Sequence, residues 1–525
     1  MRDFHLPGRS PVLAQNGVCA TSHPLAAREA VAVLERGGNA MDAAIAGAVM
    51  LGFCEPAMTG LGGDLFALVA PTPGGAVKAL NGSGRAASAA KADVLRDAGH
   101  SVVPVTSPWA VTIPGAVDGF CRLSETWGRL GLDAVLEPAI RHAEAGVPVA
   151  PRVAFDYAQK SAALNPAARR HFLPGGKLPE VGTIFAAPGQ ADVLRRVARD
   201  GAKAFYEGEV AEDMVASLKA LGGPQELADF AAVQATPTLP IGGAYHGTEL
   251  LEHPPNGQGA TAILMLNILS QFDIAAMDPN GAPRAHLEAE ATKLAYDARD
   301  RFLADADHTT RLDHMLSLET ADRLAALIDP ARAMPAAARM SEAVHRDTIY
   351  ITVVDQDRMA VSLIYSIFHG FGSGIASEKF GILFQNRGAG FSLTPGHPNE
   401  MAPGKRPMHT IIPGMLRENG QVVMPFGVMG GAYQPAGHAR FVSNTVDFGM
   451  DPQAAIDAPR CFADGDVLKI ERGYSDDVKA ALSDLGHRLD TPDEPIGGAQ
   501  AIRMRPDGVL VAGSDARKDG CAIGY

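Results

Sequence analysis

From Thr348 onward the chain changes texture, and that change constrains the fold more than any other feature. The run TIYITVVDQ is almost wholly β-branched and aromatic, with scarcely a helix former in it, so its propensity alone predicts a strand. MAVSLIYSIF, GILFQN, HTIIPGML and QVVMPFGVMGG follow as further short strands between glycine turns. The earlier part reads the opposite way. PLAAREAVAVLERGG predicts a helix with Pro24 in its first turn and Gly37 as its stop, and NAMDAAIAGAVMLGF a second with Asn39 as N-cap. Amphipathic helices alternate with loops from about 120 to 235. A further helix is expected from His286 to Phe302, with Leu287, Ala291, Leu294, Ala295 and Ala298 at helical spacing. Its acids lie early and its arginines late, as the helix macrodipole prefers, and the charges read as a solvated face. Helix-rich first and strand-rich last, with neither part an obvious independent unit, predicts one layered α+β body.

The chain has 525 residues, 46% hydrophobic and 20% charged, which suits a soluble globular protein with a large core. A net charge of −13 and a pI near 5.7 argue against nucleic acid or an anionic membrane as partner and favour a small-molecule substrate. No long apolar window occurs, and MRDFHLPGRSPVLAQ has neither an apolar core nor a small-residue cleavage site, so a cytoplasmic protein without a membrane span is expected. Cys19, Cys54, Cys121, Cys461 and Cys521 are scattered with no CxxC pair, which predicts buried thiols in a reducing compartment and no zinc site. Gly60, Gly62 and Gly63 precede a strand where a dinucleotide loop would follow one, so they read as a tight turn. No cofactor and no metal are expected.

Among nucleophiles, a GxSxG elbow and an HExxH pair are both absent. What remains is Thr348, opening a strand after Asp347 and an alanine-rich segment that ends in His345 and Arg346. A threonine hydroxyl is a weak nucleophile unless a base sits beside it, and the nearest base is its own α-amine, once the bond before it is cut. With an ordinary pKa of about 7.7 to 8.0, that amine is partly neutral near pH 7 and can take the hydroxyl proton. Taken alone, Thr348 reads as the first residue of an ordinary strand.

The segments around it add more. GGNAMDAAIAGAVMLGFCEPAMTGLGGDLF, VTIPGAVDGF, AFYEGEVAEDMV, HPPNGQGATAILMLNIL, HLEAEATKLAYDARDRF, DTIYITVVDQDRMAVSLIYSIFHGFGSGI and the closing GSDARKDGCAIGY together resemble the γ-glutamyltranspeptidase family of N-terminal-nucleophile hydrolases, over almost everything from Gly17 to Tyr525. The resemblance implies a four-layer αββα sandwich and a precursor that cuts itself between Asp347 and Thr348. Residues 1–347 would form a large subunit and 348–525 a small one, together one body; assembly of that body into a homo-oligomer is left open. It implies Thr348 as nucleophile, Ser366 beside it as an orienting hydroxyl, and Gly430 and Gly431 as an oxyanion hole, where backbone N–H groups need close approach without a Cβ. Arg85 matches the arginine that grips the substrate carboxylate, a task suited to a forked guanidinium. Thr352, two pleats along the strand, shares the face of Thr348 and either supports it or packs. The Asp-Arg pair in SDARKD is expected to brace the core, and His345 and His369 to be structural or solvent-facing.

The chain departs from the family where the substrate's α-amine is bound. Gly390 stands at the position of an acidic residue, Phe368 and Arg387 at those of an Asn and a Gln, and His409 and Thr410 at those of two serines. An arginine repels an ammonium, so the amine-binding half is dismantled while Arg85, Arg387, His409 and Thr410 favour a carboxylate. The loop SLTPGHPNEMAPG is short and lacks the tyrosine that closes the pocket in some members; an open cleft admits water and favours hydrolysis. The leading expectation is a self-processing amidohydrolase acting on small carboxylate-bearing acyl groups. A conventional γ-glutamyltransferase or glutathione hydrolase is the alternative, and a non-catalytic binding protein of the same fold the third.

Overall fold

The structure, a computed structural model, describes residue 5 and residues 8–335 and 348–525. Asp347 and His345 lie outside the described residues. Two seven-stranded sheets form the centre. The first runs Cys521–Gly524, Val18–Thr21, Ile349–Val354, Ala360–Ser366, Asp64–Ala70, Lys78–Gly82, Thr236–Thr238. The second runs Val12–Ala14, Leu510–Ser514, Gly498–Met504, Gln421–Met429, Gly414–Glu418, Thr248–Glu252, Ile241–Tyr245. Every pairing within both sheets is antiparallel.

The alternation along Ile349–Val354 explains the layering. Ile349, Ile351 and Val353 join the core against helices Pro24–Glu35 and Ala40–Cys54, while Tyr350 and Val354 pack between the sheets with Phe66, Ile364, Met415 and Met429. Both faces of this strand are therefore buried, which is why it reads as a continuous apolar run. Tyr350 Oη lies 2.7 Å from Ser362 Oγ, which donates to Phe426 O of the facing sheet at 3.2 Å. On the far side, helices Gly259–Leu269, Ala282–Phe302 and Gln434–Val446 cover the second sheet. Helix, sheet, sheet and helix give the four layers expected.

Local signals explain most boundaries. Asn39 caps Ala40–Cys54 through a capping box with Asp42, and His23 caps the preceding helix, with Pro24 at its start. Gly63 packs so closely on the Ser366 carbonyl that a Cβ there would sit 2.5 Å from the oxygen, so the glycine turn serves close approach.

One expectation is corrected. Helix Ala282–Phe302 turns only the charges of its last turn, Asp300 and Arg301, fully to water: Arg284, His286, Glu288, Glu290 and Arg299 are all buried. Glu288 pairs with Arg284 at 3.0 Å and with Arg440 of the neighbouring helix at 2.7 Å, and Glu290 with Lys293 at 2.7 Å. Charges satisfied by one another tolerate burial, and the partner Arg440 lies far away in sequence. Of the cysteines, Cys19, Cys54, Cys121 and Cys461 are buried, Cys521 is half-buried, and all five are free thiols. Among the described residues, no helix is long and apolar enough to cross a membrane.

Candidate active site

Strand register sets out the site. Ile349 faces Tyr365 and Ser366 faces Asp64, so Thr348, Ser366 and Asp64 form one row across three neighbouring strands. Residues in such a row share a face, with about 4.7–4.9 Å between strands, and this row turns toward the second sheet. Thr348 Oγ1 lies 3.3 Å from Ser366 Oγ, and both residues are buried.

Ser366 is held from two further directions. Phe368 N donates to its Oγ at 2.9 Å and Arg387 Nη2 at 3.2 Å. Phe368 adopts φ of +81°, a left-handed backbone that a large side chain rarely takes, and its ring lies 4.0 Å under the Arg387 guanidinium. Strain of this kind persists only where the surroundings fix it, here by that N–H bond and the stacked cation. Arg387 is fully buried and donates through Nη1 to Thr410 Oγ1 at 2.8 Å.

Gln258 continues the network. Its Nε2 donates to Thr410 O at 2.6 Å and to Gly431 O at 3.0 Å, and Arg299 Nη1 donates to its Oε1 at 3.0 Å. Gly430 and Gly431 both have positive φ, +117° and +56°, and a Cβ on Gly430 would meet Gly497 Cα at 2.9 Å. They form the turn from strand Gln421–Met429 toward helix Gln434–Val446.

Thr348, Ser366, Arg387, Thr410 and Gly431 are thus joined by one chain of hydrogen bonds. Arg85 stands apart. Its side chain is half exposed, donates to Gly404 O at 2.9 Å, pairs with Asp305 at 3.3 Å, and lines a cavity of about 310 Å³ together with Arg406 and Asp229. His409 is fully buried with Nε2 3.1 Å from Asp64 Oδ2, and its Nδ1 accepts Ile411 N at 3.4 Å, so both ring nitrogens are engaged inside the protein. Burial, reinforced by the charge of Arg387, holds His409 well below the ordinary imidazole range. Thr352 donates to Val361 O at 2.9 Å and ties two strands together. His369 lies 2.9 Å from Asn386 Nδ2. Asp515 takes Arg460 Nη2 at 2.5 Å and Ala499 N at 2.7 Å in the core, well within a bracing role.

Sequence reasoning passed over Asp64, Gln258 and Gln385. Asp64 had one legible signal, a lone carboxylate at the head of the otherwise apolar strand DLFALVA. Gln258 and Gln385 had none, since neutral amides occur anywhere.

Comparison with known proteins gives the family. The protein-family model for gamma-glutamyltranspeptidase matches residues 26–525. A glutathione hydrolase-like YwrD proenzyme of Bacillus subtilis is 35% identical, covering 98% of this chain and 99% of its own. An oxamate amidohydrolase proenzyme of Klebsiella pneumoniae is also 35% identical, again over 98% of this chain and 99% of its own. The crystal structure of a cephalosporin acylase from Bacillus halodurans superposes with a TM-score of 0.93 at 37% identity, covering 100% of this chain and 99% of that one.

Proposed function

The chain belongs to the γ-glutamyltranspeptidase family of self-processing amide hydrolases, and on that premise we propose that Thr348 is its nucleophile and that its acyl donors carry a carboxylate but no α-amine. In the precursor, Thr348 Oγ attacks the carbonyl carbon of Asp347. The C–N bond breaks as the C–O ester bond forms, freeing the Thr348 amine, and water then cleaves the ester to leave the Asp347 carboxylate and restore the Thr348 hydroxyl. In the cut enzyme that amine takes the Oγ proton as Oγ attacks the substrate amide, and passes it to the departing amine. Water then releases the acyl group. Gly430 and Gly431 are the donors to the tetrahedral oxygen, a contribution of about 10²- to 10³-fold per donor in other enzymes.

The observation that carries the reading is the contact of Thr348 Oγ1 with Ser366 Oγ, itself held by Arg387. Arg387 adds a fixed positive charge where an ammonium would otherwise be bound, and Arg85 adds a second, adjustable one at the cavity. Gly390 offers no acid to an amine. Names of relatives fit this reading: an oxamate amidohydrolase acts on an amide with an adjoining carboxylate. Five free thiols are in keeping with a cytoplasmic, reducing setting.

Intact-mass analysis tests the first half: the purified chain should resolve into residues 1–347 and 348–525, and Thr348→Ala should stay whole and lose all measurable activity. Cleavage at any other bond sinks the mechanism. For the second half, oxamate and glutaryl amides should be turned over faster than γ-glutamyl anilide or glutathione. Glutathione hydrolysis as fast as any other would restore the conventional γ-glutamyl reading.

A further inference from the structure

The reaction described above leaves one buried ionisable group of the Thr348 row unused, Asp64. It lies two strands from Thr348 on the same face, and it gathers four donors from four separate segments. Gly84 N at 2.8 Å, Gly115 N at 3.2 Å and Gln385 Nε2 at 2.8 Å reach Oδ1, and His409 Nε2 lies 3.1 Å from Oδ2. Each donor adjoins a part of the substrate wall. Gly84 precedes Arg85, Gly115 lines the same cavity as Arg85, Gln385 stands two residues before Arg387, and His409 precedes Thr410, the hydroxyl that holds Arg387.

We propose that Asp64 is the positioning residue of the acyl-donor site: through these four bonds it fixes the Arg85 loop, the Arg387 loop and the His409–Thr410 segment in register with the Thr348 row, and thereby sets the preference for a carboxylate. The proposal rests on the carboxylate-donor reading given above.

The proton inventory makes the arrangement specific. Ile411 N donates to His409 Nδ1, so the ring's proton sits on Nε2 and faces Asp64, whose two oxygens then meet only N–H donors, an arrangement that suits the ionised carboxylate. Burial raises the Asp64 pKa from 3.8 to about 6, opposed by the Arg387 charge and the bonds from Gln385, Gly84 and Gly115. The other ionisable groups acting on it are neutral His409, the Arg406 guanidinium and the Tyr206 hydroxyl. Below about pH 6 Asp64 takes a proton, and its O–H meets the His409 N–H. One donor must then turn away, and the staple opens. Folding favours the protonated form, so this group's contribution to stability falls as pH rises from 3.8 to about 6, while activity rises.

The test uses processed wild-type enzyme and Asp64→Asn, with glutaryl anilide and its methyl ester as donors. Loss of charge-assisted bonds should raise KM for the free acid about 10- to 100-fold in Asp64→Asn and lower the ester's kcat/KM far less, so that the preference for acid over ester collapses. On the acid side, wild-type kcat/KM should fall with the square of proton concentration, since Asp64 and the Thr348 amine must both be unprotonated, and in simple proportion in the variant. An unaltered preference for acid over ester, or a simple proportional fall in the wild type, overturns the proposal. Should Asp64→Asn remain uncut, the wild-type profile decides alone. Wild-type enzyme that hydrolyses neither donor defeats the carboxylate reading and this inference with it, whereas wild-type turnover with an indifferent Asp64→Asn defeats only the inference.

Discussion

Two arginines of the proposed donor site are built in opposite ways. Arg387 is wholly buried, bonded to Ser366 and Thr410 and stacked on Phe368. Arg85 is half exposed, with one carbonyl and one carboxylate partner at the rim of a cavity. A guanidinium already desolvated and locked costs little to reorganise when charge develops nearby, while a solvated one adapts to ligands of different length. In the proposed donor site the inner arginine would set which chemistry is admitted, and the outer one how much of the donor is gripped.

Substitutions can break that contrast. The largest effect is expected for Arg387→Ala, which strips the cation from a buried site holding Asp64: kcat/KM should drop about 10²- to 10³-fold and stability by about 3 kcal/mol, read from steady-state kinetics and denaturant titration. A fall confined to KM would show that the inner arginine only binds. Arg85→Ala should raise KM for carboxylate donors about tenfold with Tm almost unmoved, because an exposed pair contributes little to folding. Equal kinetic losses in the two variants would erase the distinction. The smallest effect belongs to Gly390→Asp. A Cβ there meets Met408 O at 3.1 Å, so the neighbour must yield slightly, at a cost of about 0.5 kcal/mol or a little more. With Arg387 still in place, γ-glutamyl anilide turnover should improve only a few-fold; an improvement as large as the Arg387→Ala loss would show that the acid position alone governs amine binding.

The same contrast explains what could be read from the sequence. The strand at Thr348, the capped helix after Asn39 and the glycine turns carry their causes locally, in β-branching, a capping box and positive φ, so each was legible. Arg387 was legible as a charge in an unusual place. Its geometry was not, because it depends on Ser366, Thr410 and Phe368 meeting in space. The charged helix Ala282–Phe302 was misread for that same reason: a helical wheel shows Glu288 and Arg284 but not Arg440 arriving from another helix. Asp64 fell through because the four groups that give it meaning come from residues 84, 115, 385 and 409.

The strand order of the first sheet has a further consequence. Ile349–Val354 lies between Val18–Thr21 and Ala360–Ser366, and Ala360–Ser366 lies against Asp64–Ala70, so strands from before and after the proposed cut at Thr348 are interleaved. Scission leaves this weave untouched, yet it changes the molecularity of folding. The precursor recovers its sheet as one chain, whereas the cut enzyme, once unfolded, must find a second chain at the concentration available. Maturation therefore converts a reversible stability into a kinetic one, and heat-inactivated enzyme should regain activity in proportion to how concentrated it was.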